Sequence, residues 1–416
     1  MENTHGPTPR CPALPRRSHF PDRRVSLTET RVDWSGRFFS VHGLRVRSDF
    51  GPVPAWSQPI ISQPETGILG IALRDFDGVP HLLMQAKSEP GNVNGVQLSP
   101  TVQATKSNYG RVHGGAEVPY LELFRHAEPG AVIADVLQSE QGSWFLHKRN
   151  RNMVVEVGPG AEAGEDFAWL TLGQVNALLR RANLVNMDAR TVLSCLPDWR
   201  RQAGAGRALH PDREIRSWIT RRRAEHEVEA VPIGLAETDG WHRTEDEVAH
   251  DQGLHFRVVG VEVSSHRREV PAWSQPLLEP TGPGVVALFV RRIEGLPHAL
   301  VRARAEPGFT DVVELGPTVQ CTPGNYARLP ATDRPPYLDE ALRRADQARY
   351  DVVLSEEGGR FRHARNRYLI TEAEDDLSVV SDEFRWVTPC QLNELLRYGH
   401  HVNMQARTLV AALRTV

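Results

Sequence analysis

The sequence predicts an α+β protein made by tandem duplication of one mixed sheet-and-helix unit. Three observations carry that expectation. The heptad VPAWSQP occurs twice, letter for letter, from Val53 and from Val270, 217 residues apart. Further motifs follow in the same order at the same offset: SEPGN from Ser88 faces AEPGF from Ala305, LSPTVQAT from Leu98 faces LGPTVQCT from Leu315, and PYLE from Pro119 faces PYLD from Pro336. Each copy then closes with the same helix signals. A shared motif order over nearly the whole chain means duplication and fusion. One residue is lost midway, so that SEQG from Ser139 meets SEEG from Ser355 and HKRNR from His147 meets HARNR from His363. The offset returns to 217 where NMDART from Asn186 meets NMQART from Asn403. The expected division is a disordered Pro- and Arg-rich tail over 1–24, a first repeat over 25–205 and a second over 206–416.

The elements follow in chain order. The second copy has a long lead-in, REIRSWITRRRAEHEVEAVPIGLAETDGWHRT, where the first has only RVSLTETRVDWSGRFF. In the 217-residue register Asp33 stands where the second copy has His250, so the first copy is expected to lack a leading helix and part of a pocket. GILGIALRDF and GVVALFVRRI have the apolar density of buried strands. VIADVLQSEQGSWFLHKRNRNMVVEV predicts a hairpin turning at Glu140-Gln141-Gly142. Thr171 with Gln174, and Thr388 with Pro389 and Gln391, are capping boxes that start a helix in each copy. Asn186 and Asn403 are expected to cap the last helix.

Composition bounds the function. A chain of 416 residues with 40% hydrophobic and 24% charged residues reads as a globular protein of more than one domain. A net charge of −3 gives no reason to expect nucleic acid or an anionic membrane as partner. No apolar run is long enough to span a membrane, and the start lacks the apolar centre of a secretion signal. Cys11, Cys195, Cys321 and Cys390 are scattered, which fits a reduced cytoplasm and gives no zinc spacing. No GxGxxG, P-loop or HExxH motif is present, and His400-His401 alone does not make a metal site. The expected chemistry, if any, is proton transfer without metal or cofactor.

Read as one strand, FLHKRNRNMVVEV places Phe145, His147, Arg149, Arg151, Met153 and Val155 on one face, and Phe361, His363, Arg365, Arg367 and Leu369 repeat the pattern. Guanidinium groups so spaced suit the oxygens of a diphosphate, and the alternative is a solvated edge strand. The turns Ser139, Glu140, Gln141, Gly142, Ser143 and Glu356, Glu357, Gly358, Gly359 offer backbone N–H groups to a ligand or are simply turns. The stretch from Glu89 to Tyr109 is rich in amides and hydroxyls suited to a polyhydroxylated ligand. Trp56 and Trp273 either stack on a base or sugar or belong to the core.

Taken together, VPAWSQPII, SEPGNVNGVQLSPTVQATKSNYGRVHGG, LQSEQGSWFLHKRNRNMVVEV, ELGPTVQ and SEEGGRFRHARNRY resemble the NDP-hexose 2,3-dehydratases of deoxysugar biosynthesis, over roughly residues 30 to 416. The resemblance implies a duplicated Nudix-like fold, a homodimer and a TDP-4-keto-6-deoxyhexose substrate. It implies loss of water across C2 and C3 to give a TDP-3,4-diketo-2,6-dideoxyhexose, passed to a 3-ketoreductase. Such an elimination needs a base, a proton donor and oxyanion donors. Glu89, Lys106, Tyr109 and His147 are the first copy's candidates, with Glu306, Tyr326 and His363 as twins. The substrate-binding set adds Gly316, Pro317, Thr318, Val319, Gln320 and Asn325 to the turns, tryptophans and arginines above. A metal-dependent Nudix-type hydrolase is one alternative, although neither copy carries the Glu-rich Nudix helix. A non-catalytic nucleotide-sugar binding protein is the other.

Overall fold

A computed structural model describes residues 23–25, 39–109, 117–197, 207–264 and 272–416. Most of the tail and Asp33 lie outside the described residues. Each copy builds a seven-stranded mixed sheet. In the first, the order is Phe167–Thr171, Val79–Ser88, Gly67–Phe76, Arg149–Glu156, Val132–Ser139, with Val96–Ser99 and Val102–Ala104 added alongside. The second runs Leu296–Ala305, Gly284–Ile293, Arg365–Glu372, Tyr350–Ser355, completed by Val313–Gly316, Val319–Cys321 and Phe384–Val387. One pair in each sheet is parallel: Gly67–Phe76 with Arg149–Glu156, and Gly284–Ile293 with Arg365–Glu372. These central strands are buried on both faces, as their unbroken apolar runs require.

The two smaller sheets exchange strands. Val228–Ile233, from the second copy's lead-in, pairs with Ser40–Ser48 of the first. Reciprocally, Arg23–Val25 pairs with Phe256–Ser264 of the second. Ile233 lies opposite Gly43 and Val25 opposite Gly260, so the two lead-ins correspond at an offset of 208 rather than 217. The string SLTET from Ser26 and GLAET from Gly234 share that register. The first copy therefore keeps a leading strand, a correspondence that the 217-residue register hides, while the residues before Arg23, where a leading helix would stand, lie outside the described residues. Because each strand serves the other copy's sheet, its spacing to its own copy is free to change. Gly43 marks the close approach: a Cβ there would lie 2.5 Å from Thr238 Oγ1 and 2.7 Å from the Gly234 carbonyl.

The expected hairpin is wider than a tight turn. Val132–Ser139 and Arg149–Glu156 do pair antiparallel, but residues 140–148 make an excursion in which Phe145–Leu146 joins the small sheet beside Ala55–Ser62. His147 then takes a left-handed conformation, φ 49°, as does His363 at φ 51°. That break changes the parity of the strand. His147 and Arg149 are exposed, while Lys148, Asn150 and Asn152 face inward. The face read from strict alternation across FLHKRNR is thus the outer one.

Thr171 and Thr388 form complete capping boxes. Asn186 and Asn403 cap Met187–Ser194 and Met404–Leu413 by accepting from the Ala189 and Ala406 amides. These last two helices are buried on every side and pack on each other across the repeat boundary. Each sends an arginine, 0% exposed, into the other copy. Arg190 donates to Thr408 Oγ1 (3.3 Å), the Val185 carbonyl (2.6 Å) and the Ser355 carbonyl (2.8 Å). Arg407 donates to Thr191 Oγ1 (2.6 Å), the Val402 carbonyl (2.7 Å) and the Ser139 carbonyl. Arg190→Ala or Arg407→Ala leaves two carbonyls and a hydroxyl without their donor and opens a cavity, at a cost of roughly 3–5 kcal/mol. Denaturant unfolding monitored by tryptophan fluorescence is expected to show that loss in both variants; an unchanged midpoint in either contradicts the pairing.

Candidate functional site

Two equivalent sites form where a Glu-Pro-Gly loop of one copy meets the glycine turn of the other. Gly91 donates its N–H to the Gly358 carbonyl (2.7 Å), and its own carbonyl accepts from the His363 N–H (2.9 Å). Gly308 does the same with Gly142 and His147, at 2.7 and 2.9 Å. A Cβ at Gly91 would lie 1.7 Å from the Phe361 carbonyl oxygen, and one at Gly308 1.8 Å from that of Phe145. Glycine is therefore the only residue that lets the loops dock. Docking carries Glu89 and Glu306, both buried, to the turn of the opposite copy.

The repeated heptad holds those turns. Trp56 Nε1 donates to Gln58 Oε1 (2.8 Å), and Gln58 Nε2 donates to the Ser143 carbonyl (2.7 Å). Trp273, Gln275 and the Gly359 carbonyl repeat the relay at 2.8 Å for both bonds. The indoles pack on Leu44, Val46 and Ile60 in the first copy and on Val259, Val261 and Leu277 in the second. VPAWSQP thus fixes a turn from outside, and its tryptophans are tied to protein by ring and N–H.

A second relay orients each carboxylate. Asn186 Nδ2 donates to Gln103 Oε1 (3.0 Å), and Gln103 Nε2 to Glu89 Oε1 (2.8 Å). Asn403, Gln320 and Glu306 match this at 2.8 and 3.0 Å. From here the sites diverge. Glu306 is fully engaged: Arg304 Nε donates to Oε1 at 2.7 Å and the Ser143 N–H to Oε2 at 3.0 Å. Glu89 has Lys87 Nζ 4.0 Å away and leaves Oε2 buried without a partner.

Around Glu89 gathers a set of ionisable groups of which the other site keeps only the twin of Glu140, Glu356. Lys148, 6% exposed, donates to the Glu65 carbonyl, while the Glu65 carboxylate accepts from Ser107 N (2.7 Å) and Oγ (2.8 Å). Glu140 accepts from Asn150 Nδ2 at 2.6 Å, and Asn150 Oδ1 in turn accepts from the Gly67 N–H at 3.0 Å. Arg360 donates to Gln63 Oε1 (3.1 Å) and to the Gly359 carbonyl (2.7 Å). Asp188 is buried with Oδ1 unpartnered. The aligned positions in the second site are Ala364 for Lys148, Gln405 for Asp188, Gln141 for Glu357, Gly282 for Glu65 and Trp144 for Arg360.

Burial sets the protonation of this cluster. It pushes Glu140 up to about 8, helped by the charge of Glu357. Burial also raises Asp188 well above its ordinary value, with Glu357, Glu140 and Glu89 adding to the effect. Glu357 is raised chiefly by burial, against the pull of Arg360. Lys148 and Arg360 are lowered by the same desolvation. Carboxyls whose hold on a proton is raised and a lysine whose hold is lowered thus lie together, the condition for acid–base work near neutral pH. Among the described residues, no group of three or more His, Cys, Asp or Glu side chains is arranged to hold a metal ion.

The remaining sequence candidates fall elsewhere. Lys106 is exposed, and the Tyr109 side chain lies outside the described residues. Tyr326, half-buried, interacts electrostatically with Arg304 at the second site. Arg151 makes a bidentate pair with Asp135 (2.7 and 2.6 Å) and Arg367 with Asp351 (2.8 and 2.6 Å), so both guanidinium groups are met by protein, on strands that are paired on both sides rather than at a sheet edge. His363 and Arg365 are exposed like their twins. Thr318 pins two strands by accepting from the Phe289 N–H (3.0 Å) and donating to the Leu300 carbonyl, and Val319 is core. Gly316 and Pro317 are buried beside it, and Asn325 Oδ1 accepts from the His255 N–H at 3.0 Å. Ser139 Oγ donates to Glu314 (2.6 Å), Ser355 Oγ accepts from Gln97 (2.7 Å), and Gln141 donates to Glu356 (2.8 Å), so the turn residues stitch the copies together.

A family model described as NDP-hexose 2,3-dehydratase matches residues 24–196 and again 212–413. The chain belongs to the NDP-hexose 2,3-dehydratase family. It is similar to three enzymes named dTDP-4-dehydro-6-deoxy-α-D-glucopyranose 2,3-dehydratase. That of Amycolatopsis orientalis is 50% identical over 394 residues, covering 93% of this chain and 83% of the relative. The Saccharopolyspora spinosa enzyme is 49% identical over 410 residues (94% and 84%), and the Streptomyces violaceoruber enzyme 51% over 394 (92% and 88%).

Two outcomes are expected. Arg151→Ala removes the half-exposed ion pair with Asp135, so it is expected to cost under about 1 kcal/mol and to leave dTDP affinity unchanged by calorimetry. Glu140 gives a pH signature in stability: between its ordinary value of 4.5 and about 8 the folded chain holds a proton that the unfolded chain releases. Its contribution is therefore greatest below 4.5 and is lost as pH rises toward 8. Glu140→Gln is expected to flatten the pH dependence of Tm across that window.

Proposed function

We propose that this chain removes water across C2 and C3 of dTDP-4-keto-6-deoxyglucose, giving the dTDP-3,4-diketo-2,6-dideoxy sugar, at the Glu89 site. The observation that carries the location is the cluster of buried Glu140, Asp188 and Lys148 with half-buried Glu357, present at one inter-repeat site and replaced by uncharged groups at three of those four positions in the other. The C4 ketone acidifies the C3 hydrogen, because removing it leaves an enolate. When the enolate pair returns to form C2=C3, the C2–O bond breaks and the hydroxyl leaves with a proton as water. The resulting enol tautomerises to the diketone. A carboxyl kept protonated by burial, as Asp188 is, supplies that leaving-group proton.

This reading includes the homodimer and the Nudix-like repeat that the resemblance implies, the latter supported by the mixed sheet with its single parallel pair. The free thiols Cys195, Cys321 and Cys390 support a cytoplasmic setting, and no helix among the described residues is long and apolar enough to cross a membrane. A ketoreductase acting on C3 fits downstream, since the diketone readily eliminates dTDP. The hydrolase alternative draws no support from the three relatives, all named as dehydratases.

The test uses substitutions that the second copy already tolerates. Lys148→Ala and Asp188→Gln copy Ala364 and Gln405 into the first site. Each is expected to lower kcat by about 10²–10⁴ with the melting temperature retained, followed by mass spectrometry of the sugar trapped with a reductant. The wild-type protein is expected to work in EDTA; activity lost on chelation and restored by magnesium returns the hydrolase reading.

A further inference from the structure

The two inter-repeat sites share the loop-to-turn bonds and the amide relay to each carboxylate, and they differ in how that carboxylate is met. In the second site the Ser143 N–H donates to Glu306 Oε2 at 3.0 Å, and turn and carboxylate satisfy each other. The equivalent donor in the first site is the Gly359 N–H, and the equivalent acceptor is Glu89 Oε2. Neither bond is made: Glu89 Oε2 is buried without a partner, and the Gly359 N–H donates to no group among the described residues. The turn itself is held as firmly as its twin, since the Gly359 carbonyl accepts from Gln275 and Arg360 and the Gly358 carbonyl from Gly91. Glu89 is only 5% exposed, and Gln103 fixes its other oxygen.

An unpaired buried carboxylate oxygen gives up its hydration with no hydrogen bond in return. Together with the unmet Gly359 N–H of the neighbouring turn, it calls for an occupant that offers both a donor and an acceptor. A C–H bond acidified by an adjacent ketone is such an occupant at the moment of reaction: the hydrogen goes to the carboxylate while negative charge grows on the ketone oxygen. Glu357 stands beside the pair. A Cβ on Gly359 would lie 2.8 Å from Glu357 Oε1 and 3.6 Å from Glu89 Oε1, so the two carboxylates flank the turn and repel. In the closed site that position is Gln141, whose amide is drawn away to Glu356 and Met187 Sδ.

We propose that Glu89 Oε2 and the Gly359 N–H are the base and the oxyanion donor of the elimination, a pair which the other inter-repeat site has closed on itself. This rests on the dehydratase reading. Glu89 takes the C3 proton and becomes neutral, the C3–H pair forms the C3=C4 bond of the enolate, and the C4 oxygen, now negative, accepts from Gly359. The enolate pair then forms C2=C3 as hydroxide leaves C2 and is protonated to water by another carboxyl of the cluster.

Two variants test it with substrate carrying deuterium at C3. Glu89→Gln keeps the size and the Gln103 contact and removes the base. The double variant Glu357→Gln with Gly359→Ser rebuilds in the second copy the turn of the first, SEQGS, and lets residue 359 close onto Glu89. Washout of C3 deuterium by NMR, turnover, dTDP affinity and melting temperature are the readouts. Glu89→Gln is expected to lose at least about 10²-fold in washout and turnover together while still binding dTDP. The double variant is expected to lose turnover while remaining folded. Should Glu89→Gln fail to fold, Glu89→Asp, which keeps the charge but withdraws it, reads the same step. Washout surviving in Glu89→Gln overturns the base assignment, and a fully active double variant overturns the role of the N–H. A wild-type protein that leaves the substrate intact sinks the dehydratase reading itself, a different result from either.

Discussion

Two arginines without access to water hold this molecule in register. Arg190 and Arg407 each leave a terminal helix of one copy and end on the carbonyl at the start of the other copy's glycine turn. A buried guanidinium is tolerable only when its donors are met, and here each meets two carbonyls and a threonine hydroxyl. The two threonines, Thr191 and Thr408, sit one residue after the arginines, so the string ART serves both sides of the contact. Helix packing, the position of the turns and the approach of the Glu-Pro-Gly loops all depend on that crossing. Because the turns carry Glu140 and Glu357, it also fixes which charges share the site.

The two sites are built from one plan and have been put to different uses. Where Arg304 and Ser143 neutralise Glu306, the carboxylate is a strut. Where Lys87 stands off at 4.0 Å and no group meets Oε2, the proposed role is that of a reagent. The same backbone holds both, so the difference lies in a few side chains. Lys148 against Ala364 and Asp188 against Gln405 alter the electrostatics of the site without altering the elements that form it. Native stability of the second site is the counterpart of reactivity in the first.

Much of this was legible in the sequence, and what was not has identifiable causes. Capping boxes at Thr171 and Thr388 and caps at Asn186 and Asn403 are local chemistry, and they form as read. The face of FLHKRNR was not, because alternation assumes an unbroken strand and His147 leaves it with a positive φ. One left-handed residue put the exposed arginines on the list of candidates and hid Lys148 and Asn150. The exchanged strands were invisible to a fixed offset, since a strand that pairs with the other copy need not keep its distance from its own. Lys148 and Asp188 did leave a signal: they are charged in one copy and uncharged at the same position of a motif otherwise conserved between the two. Subtracting one repeat from the other, rather than matching them, would have picked them out.

Reciprocal pairing of Arg23–Val25 and Val228–Ile233 with the opposite copies has a consequence for how such a chain arises. A single unfused repeat of this design would have an open sheet edge and no turn to receive its Glu-Pro-Gly loop. It would satisfy both only by trading strands with a second molecule, as domain-swapped dimers do. The present protein is that dimer made covalent. In a symmetric ancestor every substitution strikes both sites at once, so a residue that traps one carboxylate traps the other. Fusion lifts that symmetry, and allows one half to become rigid at no cost to the chemistry of its twin.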